Sequence, residues 1–192
     1  MSSDTGITAL LSHQWIGDVE GQHTLLLKED GSGEIVSRSE LTIALAAHLT
    51  WKVIDSGPVN DDDPPAQSFL GKLLRRNPPS TEALVATIEL TISKDTSPMT
   101  LVPEHRSSEI GGDRILKESG LEPRRVRVVV QRGVFQPPFW RKDFGTKYAL
   151  RLSFDPSPYP PVEEWSPDRR DMVESVKPFN RISFVGLEIQ EQ

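Results

Sequence analysis

Four side chains stand at positions where their types could do chemistry together. In "HTLLLKED", His23 is in phase with Leu25 and Leu27. Trp51 is in phase with Leu49 and Val53, Arg132 continues the line Val126, Val128, Val130, and Tyr148 starts the line Leu150, Leu152, Phe154. Alternation with period two puts one set of side chains on one face of a strand, so a polar residue in phase with the apolar set points where that set points. An arginine there could fix a carboxylate or enolate with a forked pair of hydrogen bonds. A histidine could move a proton near neutral pH, and Trp51 could be a flat apolar wall. His23, Arg132 and Tyr148 lie at the ends of their runs, where a pocket mouth would be. They are the candidate catalytic residues, and with Trp51 they are the candidate ligand-binding set. Each has a plainer use: a strand-end arginine reaches solvent, a strand-end tyrosine covers the core rim, and a tryptophan fills the core.

Other chemistry has little footing. The chain has no cysteine, which removes disulfides, thiolate zinc sites and cysteine nucleophiles. There is no G-x-S-x-G, no phosphate-cradling G-x-x-x-x-G-K, no H-E-x-x-H and no dinucleotide fingerprint. "DDD" at 61–63 lacks the spacing of a calcium loop and reads as a solvated acidic loop. "IGGDR" at 110–114 is a glycine pair in a loop. His105, beside Glu104 and Glu109, has no second histidine at ligand spacing. No metal and no cofactor is expected.

The elements that must position the four residues are strands. "HTLLLKED", the turn signal "DGSG" and "GEIVSRS" make an opening hairpin. In 39–55 Leu41, Ile43, Leu45, Ala47, Leu49, Trp51 and Val53 alternate. Leu41, Leu45, His48 and Leu49 also fit a helix face, so strand is expected for 48–55 and 39–47 stays open. "ALVATIELTISKD", "RRVRVVVQRGVF" and "KYALRLSFD" alternate again. Near the end Ile182 and Phe184 share one phase and Leu187 and Ile189 the other, which predicts a glycine bulge at Gly186. Short helices are expected at "SFLGKLLRR", at "DRILKES" with Asp113 as N-cap, and after Ser166–Pro167. The count is seven or eight strands with two or three short helices in long loops. A flat sheet of this kind would leave edges exposed, and closure removes them. The expected fold is mainly β: a single antiparallel up-and-down barrel of about eight strands, one domain over 1–192, wide enough to be filled by side chains or to hold one small ligand.

The totals fit that frame. A chain of 192 residues can bury ~70% of its unfolded surface. A net charge of −6 argues against nucleic acid as a partner. The arginine pairs at 75–76, 124–125 and 169–170 are scattered and read as solvated faces and ion pairs. "MSSDTGITALLSHQW" lacks the basic start and long apolar stretch of a secretory leader, and no apolar run approaches the ~20 residues of a membrane span. A cytoplasmic location is expected.

The stretch "WIGDVEGQHTLLLKEDGSGEI", a tryptophan and glycine beside the first strand followed by a tight hairpin, resembles the opening of calycin-superfamily barrels, the lipocalins and lipocalin-like proteins. "FGTKYALRLSFDPSPYPPVEEW" is similar to a segment of fungal lipocalin-like proteins of unknown function. Lipocalins place the glycine before the tryptophan, whereas the order here is Trp15, Ile16, Gly17, closer to nitrobindin-like openings. No histidine here stands in a context that matches a haem ligand, so haem is not carried over. The resemblance implies a barrel with one interior pocket for an apolar small molecule, with Trp15 plugging its bottom. Trp165, Tyr159 and the prolines between them would form a strap across the outside, or a cap over the mouth. Phe139, Trp140 and Phe144 would form a pocket rim or a homodimer contact.

Three functions follow as expectations. The first is intracellular binding of a small hydrophobic or oxygenated molecule in the barrel interior. The second is a metal-free and nucleotide-free isomerase or cyclase of a biosynthetic intermediate, using His23, Arg132 and Tyr148 in the same pocket. The third is a filled barrel acting as a protein-interaction module.

Overall fold

The computed structural model describes residues 3–40, 42–58, 83–95, 97–103, 112–138 and 145–190. Eight strands run in chain order: β1 Gln14–Ile16, β2 His23–Leu27, β3 Ser32–Arg38, β4 Ile43–Pro58, β5 Ala83–Ile92, β6 Arg124–Phe135, β7 Tyr148–Asp155 and β8 Ser183–Glu188. Each pairs antiparallel with the next, and β8 returns to β1 through Trp15↔Gly186 and Ile16↔Val185. The sheet is a closed barrel, so none of its strands is left as an edge. Among the described residues the helices are short: α1 Ser3–Leu11, α2 Gly112–Ile115 and α3 Arg170–Val176.

The alternation chooses which face turns inward. Leu25 and Leu27, Ile35, Leu45 to Val53, Ala86 to Ile92, Val126 to Val130 and Leu150 to Phe154 supply their in-phase residues to one apolar core. Burial of each large apolar side chain contributes ~1.5–3 kcal/mol. The opening hairpin turns where the sequence signals it. Gly31 takes a φ of +82°, a left-handed conformation that glycine adopts without steric cost, and donates to Lys28 O at 3.0 Å. The segment left open between helix and strand is strand from Ile43, part of the sixteen-residue β4. Leu41, the helix expected at "SFLGKLLRR", "DDD" at 61–63, His105 with its neighbours, and Phe139, Trp140 and Phe144 lie outside the described residues.

Two local expectations change. Gly186 is not a bulge: the register with β7 is the same at Leu150↔Gly186 and Tyr148↔Glu188. The inward phase runs on through Gly186, and Leu187 is exposed with a φ of +60°. Glycine stands there because a Cβ would lie 2.9 Å from Trp15 Cε3. The sheet bends instead at register shifts after Ser37, Val53 and Arg132. "DRILKES" is not one helix either. The four-residue α2 ends at Ile115, Leu116 bridges to Trp165, and a 3-10 turn covers Glu118–Leu121.

Antiparallel pairing gives the barrel two distinct ends. Even-numbered strands start where odd-numbered strands stop, so His23, Ile43, Arg124 and Ser183 share one end with Ile16, Arg38 and Asp155. Residues 156–169 leave β7 at this strap end. Tyr159 and Trp165, 2% and 0% exposed, drop from this segment into the same core as the strands. The segment therefore plugs the mouth rather than crossing the outside wall. Trp165 is pinned by Nε1–H donating to Pro160 O at 3.0 Å. At the other end α1 packs below the ring, and Trp15, fully buried, donates Nε1–H to Leu11 O at 2.8 Å. Trp15 closes that end as expected.

Candidate functional site

The strap end holds an unusual density of buried polar groups. The loop joining β1 to β2 places Asp18 so that its Oδ1 accepts from Glu20 N and Gln22 N at 3.0 and 2.9 Å. Its Oδ2 accepts from His23 N at 2.8 Å and stands 2.7 Å from His23 Nδ1. Burial alone pushes the Asp18 carboxyl up, but the hydrogen bonds from the His23 ring and the Gln22 and His23 backbone outweigh it. The group sits below its ordinary value and is ionised. A carboxylate can only accept, so Nδ1 carries a hydrogen and the His23 ring is held in one orientation.

The remaining face of the histidine is bare. Nε2 is buried and has no hydrogen-bond partner among the described residues, and the same is true of Ser37 Oγ. His23 and Ser37 are cross-strand partners. Their neighbours Gln22 and Arg38 are joined by Arg38 N donating to Gln22 O, so His23 and Ser37 form the alternate pair, whose side chains approach more closely. Both point into the barrel with Leu25, Leu45 and Ile35.

Tyr159 lies against this pair. Its ring meets His23 edge-on at 6.1 Å and stacks on Phe184 at 6.5 Å. Its hydroxyl donates to Val36 O at 2.6 Å. Burial first, and the Asp18 charge second, push the phenol well above its usual value, so it stays protonated. Tyr159 also lines a cavity of about 330 Å³ at the mouth, with Arg124, Val126, Pro161 and Phe179 around it. Arg124 Nη1 donates to Glu164 Oε2 at 3.3 Å. Burial lowers the Arg124 guanidinium and raises the Glu164 carboxyl, each opposed by the other's charge. A polar hollow of about 570 Å³, lined by Glu20, Gln22, Arg38 and Glu40 among others, lies outside the same end.

The four residues expected to line a site do not share one. His23 is at the strap end. β6 runs parallel to β2, so Arg132, late on β6, and Tyr148, which starts β7, are at the α1 end. The eight-residue step from Arg124 to Arg132 alone spans about 26 Å. Arg132 is exposed to solvent. Tyr148 is 8% exposed, and burial, then Glu188, push its phenol up. Trp51 is a core side chain whose Nε1–H donates to Lys28 O at 2.9 Å. Asp18 and Ser37 were not singled out from the sequence, and Arg124 was read only as part of a solvated or ion-paired arginine pair. Ser37 and Arg124 carried the same signal as His23, a polar residue in phase with an apolar run. Asp18 carried none, because it reaches His23 through a loop fold. Among the described residues no three histidines, aspartates or glutamates stand close enough to hold a metal ion, and no helix is long and apolar enough to cross a membrane.

Comparison with protein-family models, with curated proteins and with solved structures finds no match to this chain. The closed ring of eight antiparallel strands is compatible with the barrels its opening residues resemble.

Proposed function

We propose that this chain is a lipocalin-like barrel that binds a small, largely apolar molecule carrying an oxygenated group, at the strap end. The observation that carries this reading is the cavity of about 330 Å³ bounded by Arg124, Val126, Tyr159 and Phe179. It offers a largely apolar wall with one cation, Arg124, and one carboxylate, Glu163, in its lining, a mainly apolar composition with a few polar groups as in small-molecule sites. The ring itself is filled by Trp15, Leu25, Leu27, Ile35, Leu45, Ile88, Phe154 and Phe184, which supports binding at the mouth rather than along the axis. Arg124 already holds a carboxylate from Glu164, so an acidic or enolic ligand oxygen could take the place of that partner. A cytoplasmic setting suits a chain without cysteine.

The reading is tested by titrating the full chain with 2-naphthoate and with naphthalene, following amide shifts by NMR. Both probes should perturb Val126, Tyr159 and Phe179. Arg124→Met should weaken 2-naphthoate about tenfold and leave naphthalene unchanged. If neither probe moves those three amides, the mouth is not a binding site and the barrel is a filled scaffold.

A further inference from the structure

Among the buried polar atoms without a partner at the strap end, two sit at inward-facing positions of paired strands. His23 is 1% exposed and Ser37 0%, and neither Nε2 nor Oγ has a partner among the described residues. A buried polar group left unpaired costs ~1–3 kcal/mol, and buried polar atoms are nearly always satisfied. Here two of them face inward from directly paired positions on β2 and β3. Their hydrogen-bonding characters are complementary to one kind of group. With Nδ1–H committed to the Asp18 carboxylate, the neutral form of the His23 ring presents a lone pair at Nε2. Ser37 presents a hydroxyl that can donate. A ligand hydroxyl can give its proton to Nε2 and accept one from Ser37 Oγ. A carboxylate would meet the histidine lone pair with its own, and a hydrocarbon would leave both atoms unpaired.

The chain shows what shape fits beside that pair. The side chain now lying against both His23 and Phe184 is itself a phenol, Tyr159, edge-on to one ring and stacked on the other. Its hydroxyl bonds to Val36 O, the residue next to Ser37. The same ring lines the mouth cavity, so Tyr159 stands between the cavity and the unpaired atoms. We propose that His23 Nε2 and Ser37 Oγ anchor a hydroxyl group, and that its bearer is an aromatic alcohol that displaces the Tyr159 ring from the mouth. Asp18 is a positioning residue: it touches no ligand and holds His23 so that Nε2 faces inward. This rests on the mouth-binding reading above and, of the oxygenated groups it allows, selects a hydroxyl over a carboxylate at the His23–Ser37 pair.

The test uses 2-naphthol against naphthalene on the intact chain. Long-range proton–nitrogen NMR of the histidine rings should show the Nδ1–H tautomer for His23 in the free protein. 2-Naphthol should move the Nε2 resonance and naphthalene should not. In wild-type protein 2-naphthol should bind about tenfold more tightly than naphthalene. Ser37→Ala should remove most of that advantage without changing naphthalene binding. Tyr159→Ala should bind 2-naphthol more tightly than wild type, because the competing ring is gone. Two binding results overturn the proposal: equal binding of the two probes in both wild type and Ser37→Ala, or an Nε2 resonance that stays fixed at saturation. Either one leaves mouth binding standing if Val126 and Phe179 still shift. A crystal structure with a water bridging Nε2 and Oγ that 2-naphthol does not displace also overturns it. If Tyr159→Ala does not fold, the wild-type and Ser37→Ala comparison decides alone.

Discussion

His23 and Asp18 are joined twice through one oxygen: Asp18 Oδ2 takes the His23 backbone N–H at 2.8 Å and faces the His23 Nδ1 at 2.7 Å. The backbone bond fixes the loop where β2 begins, and the ring bond fixes the imidazole. A single carboxylate thus sets both where the strand starts and what its first side chain presents to the interior.

Replacing that carboxylate should therefore cost fold and site together. In Asp18→Asn either the amide nitrogen faces two donors from His23, or it faces the Glu20 and Gln22 N–H groups. A loss of about 2–3 kcal/mol is expected from charge-assisted bonds left unmade, read as a lower urea midpoint at pH 7. The sign with pH follows from the direction of the shift. The native carboxyl lies below its ordinary value, so its stabilisation is complete above the unfolded value. It fades as pH falls below about 4, through the lower native value. The gap between wild type and Asp18→Asn should be widest near neutrality and narrow in acid. A gap independent of pH would mean that Asp18 is not charged in the folded chain.

The ring closes through β1 and β8, and Gly186 lies under the Trp15 indole, where a Cβ would come to 2.9 Å of Cε3. Gly186→Ala should destabilise by about 1–3 kcal/mol through overpacking. Trp15→Phe in the same chain should recover part of that loss, since it removes the ring atoms that clash. A double-mutant cycle on thermal unfolding measures the coupling. Additive losses would place the strain elsewhere.

Much of the barrel was legible in the sequence. The period-two runs named the inward residues of β2, β5, β6 and β7, because one buried face forces that alternation. The site was less legible. His23, Arg132 and Tyr148 share a phase but not an end, and which end a strand terminus occupies depends on the direction of every strand between. Glu34 shows a second limit. Its phase puts it on the outer face, where solvent is expected. It is 2% exposed because the 97–103 loop folds over it. Cover by a distant loop has no local signal.

Glu34 holds that loop by both oxygens, accepting from Thr100 N and Leu101 N at 2.8 Å each. Glu34→Ala strands both amides against the sheet and should cost about 2–3 kcal/mol. Hydrogen exchange gives the more specific readout. Thr100 and Leu101 should lose protection first, while Val128 and Leu152 in the far wall keep theirs. Uniform loss across the barrel would show that Glu34 supports the whole sheet rather than one loop.

Tyr159 is the side chain that both seals the mouth and would have to leave it. Tyr159→Phe keeps the ring against His23 and Phe184 and deletes only the 2.6 Å bond to Val36 O. The loss at pH 8 should be about 0.5–1.5 kcal/mol, the net worth of one hydrogen bond. The alkaline behaviour separates this bond from simple packing. The native phenol is pushed well above its ordinary value, so it stays protonated in the fold while the unfolded chain ionises above about pH 10. Its stabilisation is therefore present below that value and declines as pH rises beyond it. Phenylalanine has no such decline, so the wild-type advantage should shrink by about 1.4 kcal/mol between pH 8 and pH 11. An advantage that held constant over that range would mean that the hydroxyl reaches solvent, and the strap would then be an open flap rather than a plug.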